Sequence, residues 1–284
     1  MINPALKVFQ NPQKVVAALM RDPLEAWIKL GDYVDLSREQ HKPACKYEAE
    51  KDWEKRLHDH LGVPWPCQAS TEFQALWPDV IELLKAAGVP IGPESFGCWN
   101  DGDPAFVRAI WCLIRHLQPN NVIETGVAHG VTSRFILEAL EKNGSGHLSS
   151  IDLPPNAILE QEVGIAVDRR CTDRWTYIKG SSRRRLPPLL SKLGQIDLFI
   201  HDSLHTERTV RFEVDRAWAV LKPGGAIVID DIDTNCGFQS FTKAFPGYPS
   251  FICEAEPLRP DMRRFNKKGL FGIILKIPSG SSRI

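Results

Sequence analysis

The sequence carries no surplus of charge: 35 lysines and arginines face 35 aspartates and glutamates over 284 residues. Dedicated nucleic-acid binders usually carry a basic excess, so this balance argues against that class. Cysteines stand at 45, 67, 98, 112, 171, 236 and 253, with no C-x-x-C pair and an odd total. That argues against a disulfide framework and a zinc ribbon, and free thiols in a reducing compartment are the simpler expectation. No apolar run approaches the roughly 18 residues needed to span a bilayer. The opening stretch, Met1 to Lys7, lacks the basic start and long apolar segment of a secretion signal. A cytoplasmic protein with neither membrane nor nucleic acid as partner is the default expectation.

What is there is an ordinary globular composition, 43% hydrophobic and 25% charged. The runs Arg183-Arg184-Arg185 and Lys267-Lys268 read as solvated faces before phosphate-binding patches. The chain changes character near residue 95. Residues 1–95 are irregular and rich in Pro, Trp and charge, and read as a helical N-terminal extension. Helical spacing predicts helices within Pro12–Lys29, over Asp52–Leu61 and over Thr71–Ala87, the last with Thr71 as N-cap and Pro78 as a kink. His58 and His60 are two apart on one helix, so they do not face the same way as a metal pair would.

Residues 96–284 alternate short apolar strands with helical patterns. Strands are expected over Asn121–Val127, His147–Leu153, Trp175–Lys179, Ile196–His201, Ala226–Asp230, Phe251–Glu254 and Leu270–Ile277, with Lys222–Gly225 as a turn. Helices are expected over Pro104–Leu117, Val131–Lys142, Ala157–Val167, Leu186–Leu193, Glu207–Leu221 and Phe238–Ala244, with a turn at Pro187-Pro188. This pattern predicts a doubly wound, mostly parallel, Rossmann-like α/β sheet of about seven strands. Ligands of such sheets sit beyond the carboxyl ends of the strands.

Chemistry-bearing residues collect at those ends. The first strand runs into Glu124-Thr125-Gly126-Val127-Ala128-His129-Gly130, whose two glycines let the backbone approach a ligand at a helix start. The fingerprint G-x-G-x-x-G is absent because Ala128 replaces its second glycine, and G-x-x-x-x-G-K-[ST] is absent as well. Asp152 ends the second strand and reads as a ribose ligand ahead of a helix cap. Gly180 and Ser181 follow the third strand and either flank an adenine or start the next helix. Asp202-Ser203-Leu204-His205 and Asp230-Asp231 follow the fourth and fifth. Three carboxylates converging there call for a cation or strong donors, and oxygen ligands favour Mg²⁺, Mn²⁺ or Ca²⁺. Alternatively Asp202 touches a cofactor, Asp230 caps a loop and Asp231 is solvated. Phe96–Asp103 reads either as a turn and N-cap or as a lid with Trp99 as an apolar wall.

Taken in order, Glu124-x-Gly126-x-x-x-Gly130, Asp152 and Leu221-Lys222-Pro223-Gly224-Gly225 resemble the motifs of class I S-adenosylmethionine-dependent methyltransferases. Asp202-Ser203-Leu204-His205 followed by Asp230-Asp231 is similar to a subgroup that includes cephalosporin-hydroxylase-like proteins and macrolide sugar O-methyltransferases, methyltransferase family 24. The resemblance spans residues 96–277. It implies that Glu124 and Gly126 hold the methionine end of S-adenosylmethionine and Asp152 its ribose. Thr125, Gly130, Gly180, Ser181 and Asp202 complete the expected cofactor set. It further implies that Asp202, Asp230 and Asp231 bind Mg²⁺ or Mn²⁺, with His205 as general base beside Asp202. Asp230 stands where relatives commonly carry glutamate, a shorter arm at a metal position. The expected activity is O-methylation of a small hydroxylated or glycosyl substrate, such as a glycan or glycosylated metabolite. A metal-independent methyltransferase acting on another nucleophile and a non-catalytic binding protein are the alternatives; a nicotinamide oxidoreductase is disfavoured by the missing glycine. The extension is expected to cover the substrate side or to form a homo-oligomer contact.

Overall fold

The computed structural model describes residues 20–39, 41–42, 45–89, 103–154, 161–256 and 269–277. Expectations for Trp99 and its lid, for Cys98, and for the chain before residue 20 lie outside them. No helix among the described residues is long and apolar enough to cross a membrane.

Seven strands form one sheet: β1 Asn121–Thr125, β2 His147–Asp152, β3 Trp175–Lys179, β4 Ile196–His201, β5 Leu221–Ile229, β6 Ser250–Glu254 and β7 Leu270–Leu275. Their spatial order is β3-β2-β1-β4-β5-β7-β6. β1 to β5 are parallel, and β7 runs antiparallel to both β5 and β6. The expected seven-stranded, mostly parallel sheet is what forms. Alternate side chains feed two cores. Val122, Leu198, Ile200 and Val228 point to one face, and Ile123, Phe199, Ile227 and Ile229 to the other. Strands buried on both faces read as near-continuous apolar runs, as these do.

The helices are α1 Pro23–Glu39, α2 Trp53–Leu61, α3 Gln68–Ala86, α4 Pro104–Leu117, α5 Val131–Asn143, α6 Ser182–Leu193, α7 Glu207–Val220 and α8 Gly237–Ala244. The first face is covered by α2 to α5, whose Leu57, Phe73, Trp111 and Phe135 share one core with the sheet. The opposite face is covered by α6 to α8 through Leu186, Val214 and Phe241. Asp103 starts α4 as expected: its Oδ1 accepts from the Ala105 and Phe106 amides at 2.8 and 3.2 Å, with Pro104 in the first turn.

Four local expectations are corrected. α3 begins at Gln68, capped by the Cys67 sulfur rather than by Thr71, and continues through Pro78. Pro187 and Pro188 lie inside α6; each forfeits a helix hydrogen bond, but buried Leu186 and Leu190 hold that turn against the sheet. Lys222–Gly225 belongs to β5, whose pairing with β4 shifts register between Ile196 and Leu198, while Gly225 accepts a hydrogen bond from Lys276. Finally, the cysteines are not all free. Cys45 and Cys236 form a disulfide, and Cys67, Cys112, Cys171 and Cys253 are buried thiols. A pairing across 191 residues leaves no spacing signature. It arises because the chain at 45–50 runs back along the sheet, where the Glu50 amide donates to the Ile252 carbonyl and the Tyr47 hydroxyl to that of Asn235.

Phe135 of α5 is fully buried against Phe73, Trp77 and Trp111. Phe135→Ala is expected to cost about 3–5 kcal/mol through lost burial and the cavity left behind. Urea denaturation measures this, and a loss below about 1 kcal/mol would contradict the shared core.

Candidate active site

The carboxyl ends of β1 to β5 open into one cavity of about 520 Å³. The turn after β1 is forced close to the loop after β4. A Cβ at Gly126 would lie only 1.9 Å from the Asp202 carbonyl oxygen, so nothing larger than glycine fits. Gly126, Ala128 and Gly130 all take positive φ, 88°, 46° and 81°. Ala128, standing at the missing fingerprint glycine, thus adopts the left-handed conformation anyway, at some backbone strain.

Asp152, at the tip of β2, lines the cavity, and its Oδ2 accepts from the Ala128 amide at 3.3 Å. Burial pushes its carboxyl above the usual range, partly countered by backbone amides of the same turn. Gly180 and Ser181 also line the cavity. Ser181 starts α6 but its side chain makes no capping bond.

Glu124, Thr125 and Gly130 stand behind the cavity wall rather than in it. Glu124 is fully buried, and its Oε2 accepts from Ser133 and Ser150 at 2.6 and 2.7 Å. Its other oxygen has no hydrogen-bond partner. Burial pushes its pKa up to about 8. Thr125 donates to Glu213 of α7 at 2.6 Å, and Gly130 precedes the first residue of α5.

At the ends of β4 and β5, Asp202, His205, Asp230 and Asp231 meet. The His205 ring lies with Nε2 3.6 Å from Asp202 and Nδ1 3.5 Å from Asp231. Ligand atoms of Asp202, His205 and Asp230 fall within 4.8 Å of one another. His205 thus joins the expected carboxylates in a candidate donor set, alongside its expected role as base. Asp231 sits in the left-handed region at φ 48°, which turns the chain sharply after Asp230.

Below this cluster lies a group that the sequence did not single out. Glu213 is fully buried and accepts from Thr125, Ser203 and the His201 ring at 2.6, 2.8 and 2.7 Å. Burial alone would raise its carboxyl, but His201 and the hydroxyl donors bring it below the ordinary value. Another wall of the cavity comes from α1, through Lys29, Asp32, Tyr33 and Leu36. This helix is tied down by acid–base pairs. The Glu25 carboxylate accepts from the Ser181 amide at 2.8 Å, Asp32 meets Arg183 at 3.2 Å, and Asp22 pairs with Arg184. Arg183 and Arg184 are therefore a seat for α1, not the solvated face expected, while Arg185 bonds to the Lys179 carbonyl. Only three-dimensional contact could reveal this, since the pairs lie about 150 residues apart in sequence.

Residues 123–232 match the model of a protein family described as a methyltransferase domain. That match, over part of the chain, agrees with the class its ordered motifs resemble, the class I S-adenosylmethionine-dependent methyltransferases. No curated protein matches the chain by sequence. Among solved structures, the O-methyltransferase TomG of Streptomyces achromogenes, involved in tomaymycin synthesis and bound to S-adenosylmethionine, is 14% identical with a TM-score of 0.51. The match covers 81% of this chain and all of that one. An O-methyltransferase from Bacillus cereus, in complex with S-adenosylhomocysteine, is also 14% identical, covers 78% of this chain and 97% of its own, and has a TM-score of 0.49. Likeness at such identity concerns the fold.

The raised Glu124 carries a prediction with a definite sign. The folded chain keeps a proton that the unfolded chain releases between the ordinary pKa of 4.5 and about 8. Its contribution to stability is therefore full below pH 4.5 and is lost as pH rises towards 8. Glu124→Gln mimics the protonated form and should flatten that decline, by on the order of a few kcal/mol at pH 9. Urea midpoints measured across pH test this, and an unchanged slope would refute it.

Proposed function

We propose that the chain is an O-methyltransferase that moves a methyl group from S-adenosylmethionine to a hydroxyl of a small acceptor, such as a glycosyl unit, with divalent-metal assistance. One observation supports this most strongly: five strand ends open into a single cavity, and each brings a group suited to a different part of the reaction. Gly126 gives the donor's methionine end close access to backbone amides. Asp152 accepts hydrogen bonds from the ribose hydroxyls. Gly180 and Ser181 flank the adenine. Glu124, Thr125 and Gly130 hold the β1 turn in shape from behind. Asp202 lies between the cofactor groups and the acceptor end.

Transfer is an in-line displacement. The acceptor oxygen bonds to the methyl carbon, the carbon–sulfonium bond breaks, and the sulfur leaves as a neutral thioether. The hydroxyl proton passes to the His205 imidazole, and the neighbouring Asp231 carboxylate steadies the resulting imidazolium. Positioning supplies much of the rate. Two of these carboxylates, Asp202 and Asp230, lie with the His205 ring at a spacing that fits a divalent cation. Asp202, Asp230 and Asp231 would hold such a cation, which when bound would supply Lewis acidity towards the acceptor hydroxyl. A metal-independent variant of the same reaction is favoured by one feature: Asp202 and Asp231 flank His205 closely enough to pair with its protonated form unaided.

Calorimetry tests the donor. S-adenosylmethionine should bind and NAD should not, and Asp152→Ala should weaken binding by about 10- to 100-fold. No heat with S-adenosylmethionine would overturn the proposal. The acceptor is found by incubating the protein with labelled donor and pooled hydroxylated metabolites and glycans, then identifying the labelled product.

With an acceptor in hand, His205→Ala should lower kcat by about 10²-fold at neutral pH, with recovery as pH rises. Activity retained at neutral pH would remove the base assignment. Turnover that survives both chelator and Asp231→Asn would select the metal-independent variant.

A further inference from the structure

Away from the cavity, α2, the start of α3 and α4 meet at a cluster of two histidines and two cysteines. His58 lies in the last turn of α2, Cys67 caps α3, and Cys112 and His116 stand one turn apart on one face of α4. His58, Cys67 and Cys112 are 1%, 6% and 1% exposed, so the thiols and the ring are out of water. Ligand atoms of these three fall within 4.8 Å of one another. The buried Nε2 of His116 has no hydrogen-bond partner. The His116 ring also meets that of His58 edge-on, at 5.5 Å between centroids.

The orientation of each donor is set from outside. His58 Nδ1 lies 2.7 Å from the Glu54 carbonyl, which makes Nδ1 the protonated nitrogen and leaves the Nε2 lone pair facing Cys67 at 3.3 Å. This is the arrangement in which a carbonyl fixes the tautomer of a metal-binding histidine. The Ser70 amide donates to the Cys67 sulfur at 3.3 Å, a bond that favours a thiolate. The Cys67 and Cys112 sulfurs are 3.8 Å apart. A tetrahedral ion with metal–sulfur bonds of about 2.3 Å and metal–nitrogen bonds of about 2.0 Å has sulfur–sulfur edges of about 3.8 Å and sulfur–nitrogen edges of about 3.5 Å. Both distances match. Two thiolates would also neutralise a divalent ion, so the buried site would carry no net charge.

We propose that His58, Cys67, Cys112 and His116 form a structural zinc site that pins α2 and α3 to α4. It is separate from the cavity and does not depend on the methyltransferase reading. A Cys₂His₂ donor set of this kind is closed, with no position left for a substrate. Its role is to stabilise the junction between the early helices and the sheet, because the free energy of binding becomes folding free energy.

The full chain, purified under reducing conditions without chelator, should hold one zinc per molecule by elemental analysis. Replacement by Co²⁺ should give the intense visible bands of tetrahedral cobalt and a near-ultraviolet thiolate-to-cobalt charge-transfer band. The latter distinguishes this site from the oxygen-rich Asp202 cluster. Removing zinc should lower the thermal midpoint, and Cys112→Ser should weaken retention against a competing chelator by more than about 10-fold. Should Cys112→Ser fail to fold, His116→Ala and the cobalt spectrum of the unaltered chain decide. Three results would overturn the proposal: less than about 0.1 zinc per chain after reconstitution; full zinc retention in Cys112→Ser with His116→Ala; or a Cys67–Cys112 disulfide in freshly isolated protein by peptide mass analysis.

Discussion

Glu213 is the point on which the cavity depends. Its carboxylate is entirely removed from water, yet it receives hydrogen bonds from the end of β1 through Thr125, from the end of β4 through His201 and from the following loop through Ser203. A charge buried this deeply survives only when its donors are all in place. The same bonds that satisfy it lock two adjacent strand tips and α7 into one register. Gly126 can then pass against the Asp202 backbone without clash. His205 and Asp202 leave that rigid base with their positions already set.

A second constraint works from outside the sheet. The chain's zero net charge conceals a local separation, with acids on α1 and arginines at the start of α6. Each surface pair contributes little by itself, typically under about 1 kcal/mol. Together with the bond from the Ser181 amide to Glu25, they place Lys29, Asp32 and Tyr33 along the cavity. Burial lowers the Lys29 pKa and raises that of Asp32, so both charges are held under some cost at the wall. Acceptor choice in the proposed reaction can therefore be shaped by a helix that lies outside the βα repeat.

Much of the architecture was legible because its signals are local. Alternating apolar strands, the glycine turn after Asn121–Thr125 and the capped start of α4 each follow from short-range rules. Asp152, Gly180, Ser181, Asp202, His205, Asp230 and Asp231 could be placed at one edge from strand direction alone, and all of them line the cavity. Glu124, Thr125 and Gly130, which the resemblance assigned to the cofactor set, stand just behind the cavity wall. Sequence order ranks a residue by its distance along the strand and is blind to which way a side chain turns at the tip. The disulfide Cys45–Cys236 and the Arg183 seat for α1 were missed for a related reason: their partners are distant in sequence and carry no periodicity.

What the sequence determined by itself is the order of strands and helices, the parallel sheet and the edge at which chemistry collects. Those depend on hydrophobic period, turn residues and strand direction, which are properties of a few consecutive residues. Tertiary structure alone decided which buried groups share a proton or a charge, which helix closes the cavity, and that His58, Cys67, Cys112 and His116 meet. These are contacts between segments far apart along the chain, and only packing brings such segments within the few ångströms over which hydrogen bonds, ion pairs and metal ligands act.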